Sequence, residues 1–327
     1  MFSRRRAPTI IFVFISMNIN PKYFGKVAVL LGGLSSEREV SLISGANVLR
    51  VLKKCGIEAF AIDVGFDLAE QLLKTKPNRV FIALHGAYGE DGIVQGLLEM
   101  MRIPYTGSGV AASALAMNKH FSKVIWKSYG LPVLPDIVMK NDMQLGLLNQ
   151  VLETQTIALP ICVKPASGGS TIGVSKVTEI SQFEQAFLIA SKEDNAVIIE
   201  PWIEGREFTV GILGDDVLPV LEIIPKEGFY DYSAKYTNAD TTTFVHAKDL
   251  PKDIYDDMQN ISMRAFSYLG CRHLGRADFL LDKKDQVWLL EMNTIPGLTD
   301  HSLVPQMAAL EGLDFDTLIC KILAFTL

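Results

Sequence analysis

The apolar positions of this chain change period along its length. Lys26-Val-Ala-Val-Leu-Leu31 is a short unbroken apolar run closed by Gly32-Gly33, the pattern of a strand buried on both faces. A helix is expected next. Ser36 and Glu39 fit a capping box, and Val40, Ile43, Ala46 and Val48 continue an apolar face. Arg79-Val-Phe-Ile-Ala-Leu84 reads as a second buried strand, ended by His85-Gly86 and followed by a helix from about Asp91 to Met101. Buried strands alternating with helices predict a doubly wound parallel sheet, and we place this α/β lobe over residues 25–118.

Beyond it, a helix near Lys119–Tyr129 precedes the stiff Leu131-Pro-Val-Leu-Pro135. Ile161–Lys164 is a strand, and Pro165 prevents a helix from following at once. A loop over Ala166–Gly173, a strand at Val174–Val177, a helix near Gln182–Ser191 and a strand at Ala196–Glu200 complete an α+β lobe, residues 119–201. The third lobe, 202–327, is rich in strands: Phe208–Leu213, Val217–Ile224, Arg276–Leu281 and Val287–Glu291. The polar Asp282–Gln286 joins the last two as a hairpin. Helices near 252–269 and 303–325 flank them. Gly228–Ala247 is polar and aromatic without period and reads as a long ordered loop.

Composition narrows the function. Of 327 residues 49% are apolar and 21% charged, which fits a globular chain and excludes a disordered one. Net charge is −6, so no broad nucleic-acid surface is expected. Residues 1–24 carry Arg4, Arg5, Arg6 and Lys22 and no acid, which makes them +4 and the rest −10. This leader runs into Ile10–Ile15 and has the outline of a secretory signal, but no small-residue cleavage site follows. We read residues 1–24 as an extra segment, with Met17 the expected start. No later stretch is long and apolar enough for a membrane span. Cys55, Cys162, Cys271 and Cys320 are widely spaced without a CxxC, against a zinc site or disulfide framework and in keeping with a reducing cytosol.

Five candidate sites carry the chemistry. If the hairpin holds, Asp278, Glu291 and Asn293 share one wall, a hard-oxygen set suited to Mg²⁺ on phosphates, or else a solvated face. The apolar Phe279–Leu281 and Trp288–Leu290 favour the metal. Arg276 falls on the same face and can stabilise a transferring phosphoryl group. Lys164 before the Gly- and hydroxyl-rich 166–173 loop can cradle phosphates, although such loops are often plain turns, and GxxxxGK[ST] is absent. Glu200-Pro-Trp-Ile-Glu-Gly-Arg-Glu207 can hold an adenine and its ribose, with a core role for Trp202 the alternative. Glu37 at a helix start can hold an ammonium or be a dipole-favoured surface acid. His85 at a strand's carboxyl edge is a ligand contact or a structural histidine. The absence of GxGxxG counts against NAD, with Asp63 the only acid near the expected offset. GxSxG and HExxH are absent too, leaving hydrolase readings without support.

Taken in order from about Lys26 to the C-terminus, these motifs resemble the D-alanine–D-alanine ligases of the ATP-grasp superfamily. The resemblance is carried by Val29–Leu42, Ala83–Gly92, Pro104–Gly109, Met117-Asn-Lys119, the Lys164 loop, Phe229–Tyr236, Gly275–Asp278, Leu290–Thr299 and His301–Pro305. It implies an ATP-grasp fold in which two α+β lobes sandwich ATP. The implied activity joins two D-alanines through a D-alanyl phosphate, in the cytoplasm, for cell-wall precursor synthesis, by a homodimer without nucleic-acid or membrane partners. It implies two Mg²⁺ ions, or Mn²⁺ in their place, on Asp278, Glu291 and Asn293. Lys119, Lys164, Ser170 and Lys235 would meet the phosphates, Glu200, Trp202 and Ile203 the adenine, and Glu207 the ribose. Glu37, Ser170 and Tyr236 would form a closing network, with Glu37 on the first D-alanine's ammonium. Arg276 and the Gly297 N–H would face the oxyanion, His85 the substrate, and Ser302 and Leu303 the second carboxylate. Two departures from the family pattern are Val245-His246-Ala247, which bears on loop anchoring, and Thr171 in place of a serine. The rivals are a D-alanine–D-lactate ligase, disfavoured by Tyr236, a silent ATP-grasp binding protein and, more distantly, an NAD oxidoreductase.

Overall fold

A computed structural model describes residues 20–140, 157–225, 242–299 and 301–327. Three sheets organise the chain. The first is parallel, in the order β2-β1-β3, from β1 (Val27–Leu31), β2 (Ala59–Asp63) and β3 (Arg79–Ile82). Alternation along β1 explains its unbroken apolar run. Val27 and Val29 face one core with Val48, Val51 and Leu52 of α1 (Arg38–Lys54). Ala28 and Leu30 face another with Leu68 and Leu72 of α2 (Leu68–Thr75) and Val94 and Leu98 of α3 (Ile93–Met100). Both faces are dry, so no polar alternation is possible. The expected capping box does not form: Glu37, not Ser36, is the N-cap of α1, and its side chain makes no cap bond. Strand β2 and helices α2 and α4 (Val110–Met117) were not expected from the pattern.

Helix α5 (Lys119–Ser128) leads to the second sheet, order β4-β7-β5-β6, all antiparallel. It comprises β4 (Ile137–Lys140), β5 (Ile161–Pro165), β6 (Ser175–Val177) and β7 (Ala196–Pro201). Ile161 and Val163 of β5, with Val197 and Ile199 of β7, face a core closed by α6 (Phe183–Ala190). The opposite positions, Cys162, Lys164 and Glu200, line a cavity.

The third sheet runs β10-β9-β8-β11-β12 and is antiparallel throughout. Its strands are β8 (Gly205–Leu213), β9 (Asp216–Pro225), β10 (Thr242–His246), β11 (Leu274–Asp282) and β12 (Val287–Asn293). Phe208, Val210, Ala277, Phe279 and Leu289 pack on Ala265 and Phe266 of α7 (Lys252–Tyr268), on the face away from the cavity. Two expectations need correction. The end of the supposed 228–247 loop is β10, paired with β9, while 226–241 lies outside the described residues. The single helix expected over 303–325 is two, α8 (Leu303–Leu310) and α9 (Phe315–Ala324), because Gly312 adopts φ 78° and turns the chain. Leu303, Val304, Leu318 and Ile322 join the core that holds Val27 and Val29; α9 packs on α1, and α8 on β8 and β9.

Candidate active site

The second and third sheets enclose a cavity of about 500 Å³. One wall is basic. Lys119 and Lys123 lie one turn apart on α5, whose N-cap Asn118 accepts from the Phe121 N–H at 3.1 Å. The Asn118 amide also donates to Ser167 Oγ at 3.3 Å, tying the helix to the loop after β5. Glu200 of β7 sits opposite Cys162 of β5 and reaches the neighbouring Lys164. Lys123 Nζ donates to the other Glu200 oxygen at 2.6 Å. All three side chains are buried. Burial alone would raise the Glu200 carboxyl, but Lys164 and Lys123 outweigh it and hold the group well below its ordinary range. In the same way Glu200 overcomes the burial of Lys164 and keeps it charged. The Glu200 carboxylate is therefore held by two lysines, on the stretch of the cavity lining that also carries Trp202 and Ile203.

The loop itself is strained. Ser170 and Thr171 hold φ of 55° and 63°, left-handed values that cost a non-glycine residue roughly 1–2 kcal/mol each. Asp194 anchors the loop by accepting from the Ser167 N–H at 2.8 Å, and Lys119 Nζ donates to the Gly168 carbonyl at 2.6 Å. Ser170 Oγ donates to Glu37, joining this loop to the head of α1. Gly86, at φ 70°, packs so closely that a Cβ there would fall 2.8 Å from Glu37 Oε2. Lys235 and Tyr236, expected to complete this closure, lie outside the described residues.

The other wall is acidic. On β11 and β12, Asp278 pairs with Glu291 and Arg276 with Asn293, but Phe279 pairs with Leu289. One extra residue, Leu290, is thus inserted into β12. Strict alternation from Val287 and Leu289 would bury Glu291 and Asn293 in the core; the bulge turns them to the cavity side. Arg276 grips Asp278 through two bonds of 2.8 and 2.7 Å. Thr209 Oγ1 and Asn293 Nδ2 also donate to Asp278, at 2.7 and 3.1 Å. Glu291 meets Lys119 at 3.1 Å. Among the described residues no three His, Cys, Asp or Glu side chains converge. Two paired carboxylates and an adjacent amide nevertheless form a hard-oxygen set whose charge is balanced here by Arg276 and Lys119, and this fits a divalent cation.

Beside this wall the first sheet contributes a pocket end. His85 donates from Nδ1 to the Ile295 carbonyl at 3.1 Å and accepts at Nε2 from Ser44 Oγ at 3.1 Å. We assign that tautomer from the partners. Burial lowers its pKa, in keeping with a neutral ring. Both ring nitrogens are spent on fixing the 295–298 segment, and Ser44 Oγ also accepts from the Leu298 N–H at 3.4 Å. Gly297 in that segment cannot carry a side chain, since a Cβ would meet Ser302 Oγ at 2.8 Å. Ser302 is the N-cap of α8. The Leu303 side chain is buried in the core, so only its backbone N–H, at the helix start, is left to meet a carboxylate. Glu90 accepts from the Gly86 N–H at 2.8 Å; burial and then the Glu37 carboxylate push it up to about 8.

Trp202, Ile203 and Glu207 line the cavity, with the Lys176 ammonium 5.0 Å from the Trp202 ring. Asp63 ends β2 but is gripped by Arg38 at 2.7 Å through both oxygens, so it offers nothing to a dinucleotide ribose. Sequence reasoning missed Lys123, Thr209, Asn118, Asp194, Ser44 and Glu90. Lys123 had a signal, its spacing of four from Lys119, whereas Thr209 depends on strand register.

Two sheets closing a cavity between a lysine-lined, glycine-rich wall and a carboxylate pair define an ATP-grasp protein. A family model described as D-ala D-ala ligase C-terminus matches residues 125–324, and one described as D-ala D-ala ligase N-terminus matches 64–108. A D-alanine–D-alanine ligase of Bordetella avium is 45% identical over 92% of this chain and 94% of its own length. That of Pseudomonas fluorescens is 46% identical over 94% and 93%. A crystal structure of the Bacillus anthracis ligase complexed with ATP superposes with a TM-score of 0.77, at 29% identity, covering 92% of this chain and 97% of that one. The chain belongs to the D-alanine–D-alanine ligase family.

Proposed function

We propose that this chain joins two D-alanines into D-alanyl-D-alanine at the expense of ATP, for cell-wall precursor synthesis in the cytoplasm, as a homodimer. The observation that carries the reading is the pairing of a basic and an acidic wall across one cavity. It suits a polyphosphate bound between lobes 119–201 and 202–327, with the 25–118 lobe presenting the amino acids. Among the described residues no helix is long and apolar enough to cross a membrane.

A carboxylate is a poor acyl donor, so the first D-alanine would attack the γ-phosphorus and become an acyl phosphate. The second amine would then displace phosphate through a tetrahedral intermediate. Most of the catalysis is positioning and charge neutralisation. Lys119 and Lys164, joined by Lys235, would take the phosphates, and Glu200 with Lys123 would keep Lys164 in place. Glu200, Trp202 and Ile203 would line the adenine site, and Glu207 would hold the ribose. Asp278, Glu291 and Asn293 would hold two Mg²⁺, with Mn²⁺ able to substitute, which offset phosphate charge when bound. Glu37 would hold the first ammonium, and Arg276 with the Gly297 N–H the oxyanion. Ser302 and the Leu303 N–H would hold the second carboxylate, over a scaffold fixed by His85. Closure through Glu37, Ser170 and Tyr236 would exclude water, which otherwise hydrolyses the acyl phosphate.

Purified protein given ATP, Mg²⁺ and D-alanine should release ADP, phosphate and D-alanyl-D-alanine. Product consisting only of D-alanyl-D-lactate, when both acceptors are supplied, would overturn the reading. Phosphate release indifferent to D-alanine would favour a silent nucleotide-binding protein instead.

A further inference from the structure

Cys55 and Cys320 are 265 residues apart in sequence, yet their sulfurs lie 3.1 Å from each other. Both are free thiols and both are half-buried. Cys55 closes α1, and Cys320 sits in the middle of α9. The contact is held in register from two sides. Lys54, one residue before Cys55, pairs at 2.5 Å with Asp316, one turn before Cys320 on α9. Inside, Leu52 and Ile57 share a core with Ile319 and Leu323. We propose that this pair is a modification site, at which a peroxide closes an intramolecular disulfide stapling the first sheet's helix to the C-terminal helix.

The geometry asks for little movement. A disulfide has sulfurs about 2.05 Å apart, so side-chain rotation has to close roughly 1 Å. Burial, and then the Cys55 sulfur beside it, raise the Cys320 thiol above its ordinary value and keep it protonated. The Cys320 thiol donates to the Cys55 sulfur, which makes Cys55 the sulfur that attacks first. Its thiolate cleaves the O–O bond of hydrogen peroxide, giving a sulfenic acid and, after proton uptake, water. Cys320 sulfur then attacks the sulfenic sulfur and expels the hydroxyl as a second water. The two thiols lose two protons and two electrons, and the peroxide takes up both to become two waters. Cys162 and Cys271 serve as internal controls, since burial pushes both thiols up to about 12. Glu37, the N-cap of the 17-residue α1, stands about 25 Å from Cys55, so the staple should leave the cavity unchanged.

The test uses the full chain with a stoichiometric amount of hydrogen peroxide, quenched, alkylated in denaturant, digested and read by mass spectrometry. A Cys55–Cys320 linked peptide is expected, with the protein still a single chain on a non-reducing gel and Cys162 and Cys271 alkylated. The thermal midpoint should rise by roughly 5 °C and fall back with dithiothreitol, because the link closes a long loop. D-alanine-dependent turnover should be retained. Cys55→Ser and Cys320→Ser should each abolish both the linked peptide and the shift. Separate alkylation of Cys55 and Cys320 after oxidation, sulfinic acid at Cys55, or links to Cys162, Cys271 or a second chain would overturn the proposal.

Discussion

The two walls of the cavity solve opposite charge problems. On the lysine wall, Glu200 is locked between Lys164 and Lys123, and the side chains of Glu200 and Lys123 are only 5% and 3% exposed. On the carboxylate wall, Glu291 is 23% exposed and its partner Lys119 is 14% exposed. The first is a closed network with no slack: its ions were desolvated on folding and must stay paired. The second is a half-open arrangement whose balancing cations can be exchanged. A rigid wall suits phosphate binding, where lysine position matters, and an exchangeable one suits a metal that arrives with its nucleotide.

Mutations should separate the walls. The largest effect is expected at Glu291→Gln, which removes a carboxylate proposed to hold Mg²⁺ without leaving a buried charge. D-alanine-dependent phosphate release should fall by about a hundredfold or more while the thermal midpoint hardly moves. Glu200→Gln should do the reverse and strike stability first. It strands two buried lysines, and we expect a loss of about 3 kcal/mol in denaturant unfolding. That pair also fixes a pH window. Glu200 is lowered in the fold, so its contribution is present above the ordinary carboxylate value and fades as pH falls through the lowered one. Lys164 is raised, so its contribution fades only as pH climbs through a value above that of free lysine.

Lys123→Met is a milder break in the same wall. It leaves Glu200 and Lys164 paired but less well placed, so KM for ATP should rise roughly tenfold with a smaller change in kcat. An unchanged KM would show that Lys123 is only structural. The smallest effect is expected at Glu90, between the walls and the first sheet. Its carboxyl is raised to about 8, so the native state keeps a proton that the unfolded chain has lost above the ordinary carboxylate value. Stability should therefore decline gently as pH rises towards 8, and Glu90→Gln should flatten that slope in thermal melts taken across the range.

Much of this was legible in the sequence, and the rest has physical reasons for escaping it. The β11–β12 hairpin shows because a polar turn separates two apolar runs. Its bulge does not, because which residue is extra is decided by backbone pairing, and that one residue decides where Glu291 and Asn293 point. Strand β2 was missed because Ala59, Phe60, Ala61 and Asp63 are not fully buried and dilute the apolar signal. Helix α4, Val-Ala-Ala-Ser-Ala-Leu-Ala-Met, has small residues all round and no clear face. A buried lysine such as Lys123 looks like any solvated one until its carboxylate partner, 77 residues away, is known. The two lysines that hold Glu200 were invisible for the same reason. The proximity of Cys55 to Cys320 was invisible because it depends on how two distant helices pack.

The division of labour between the walls is tested most directly by calorimetric titration of ATP, with Mg²⁺ and with chelator, into the wild type and Glu291→Gln. The account predicts that chelator weakens binding strongly in the wild type and far less in Glu291→Gln, whose lysine wall is intact. Equal sensitivity to Mg²⁺ in the two proteins would contradict it.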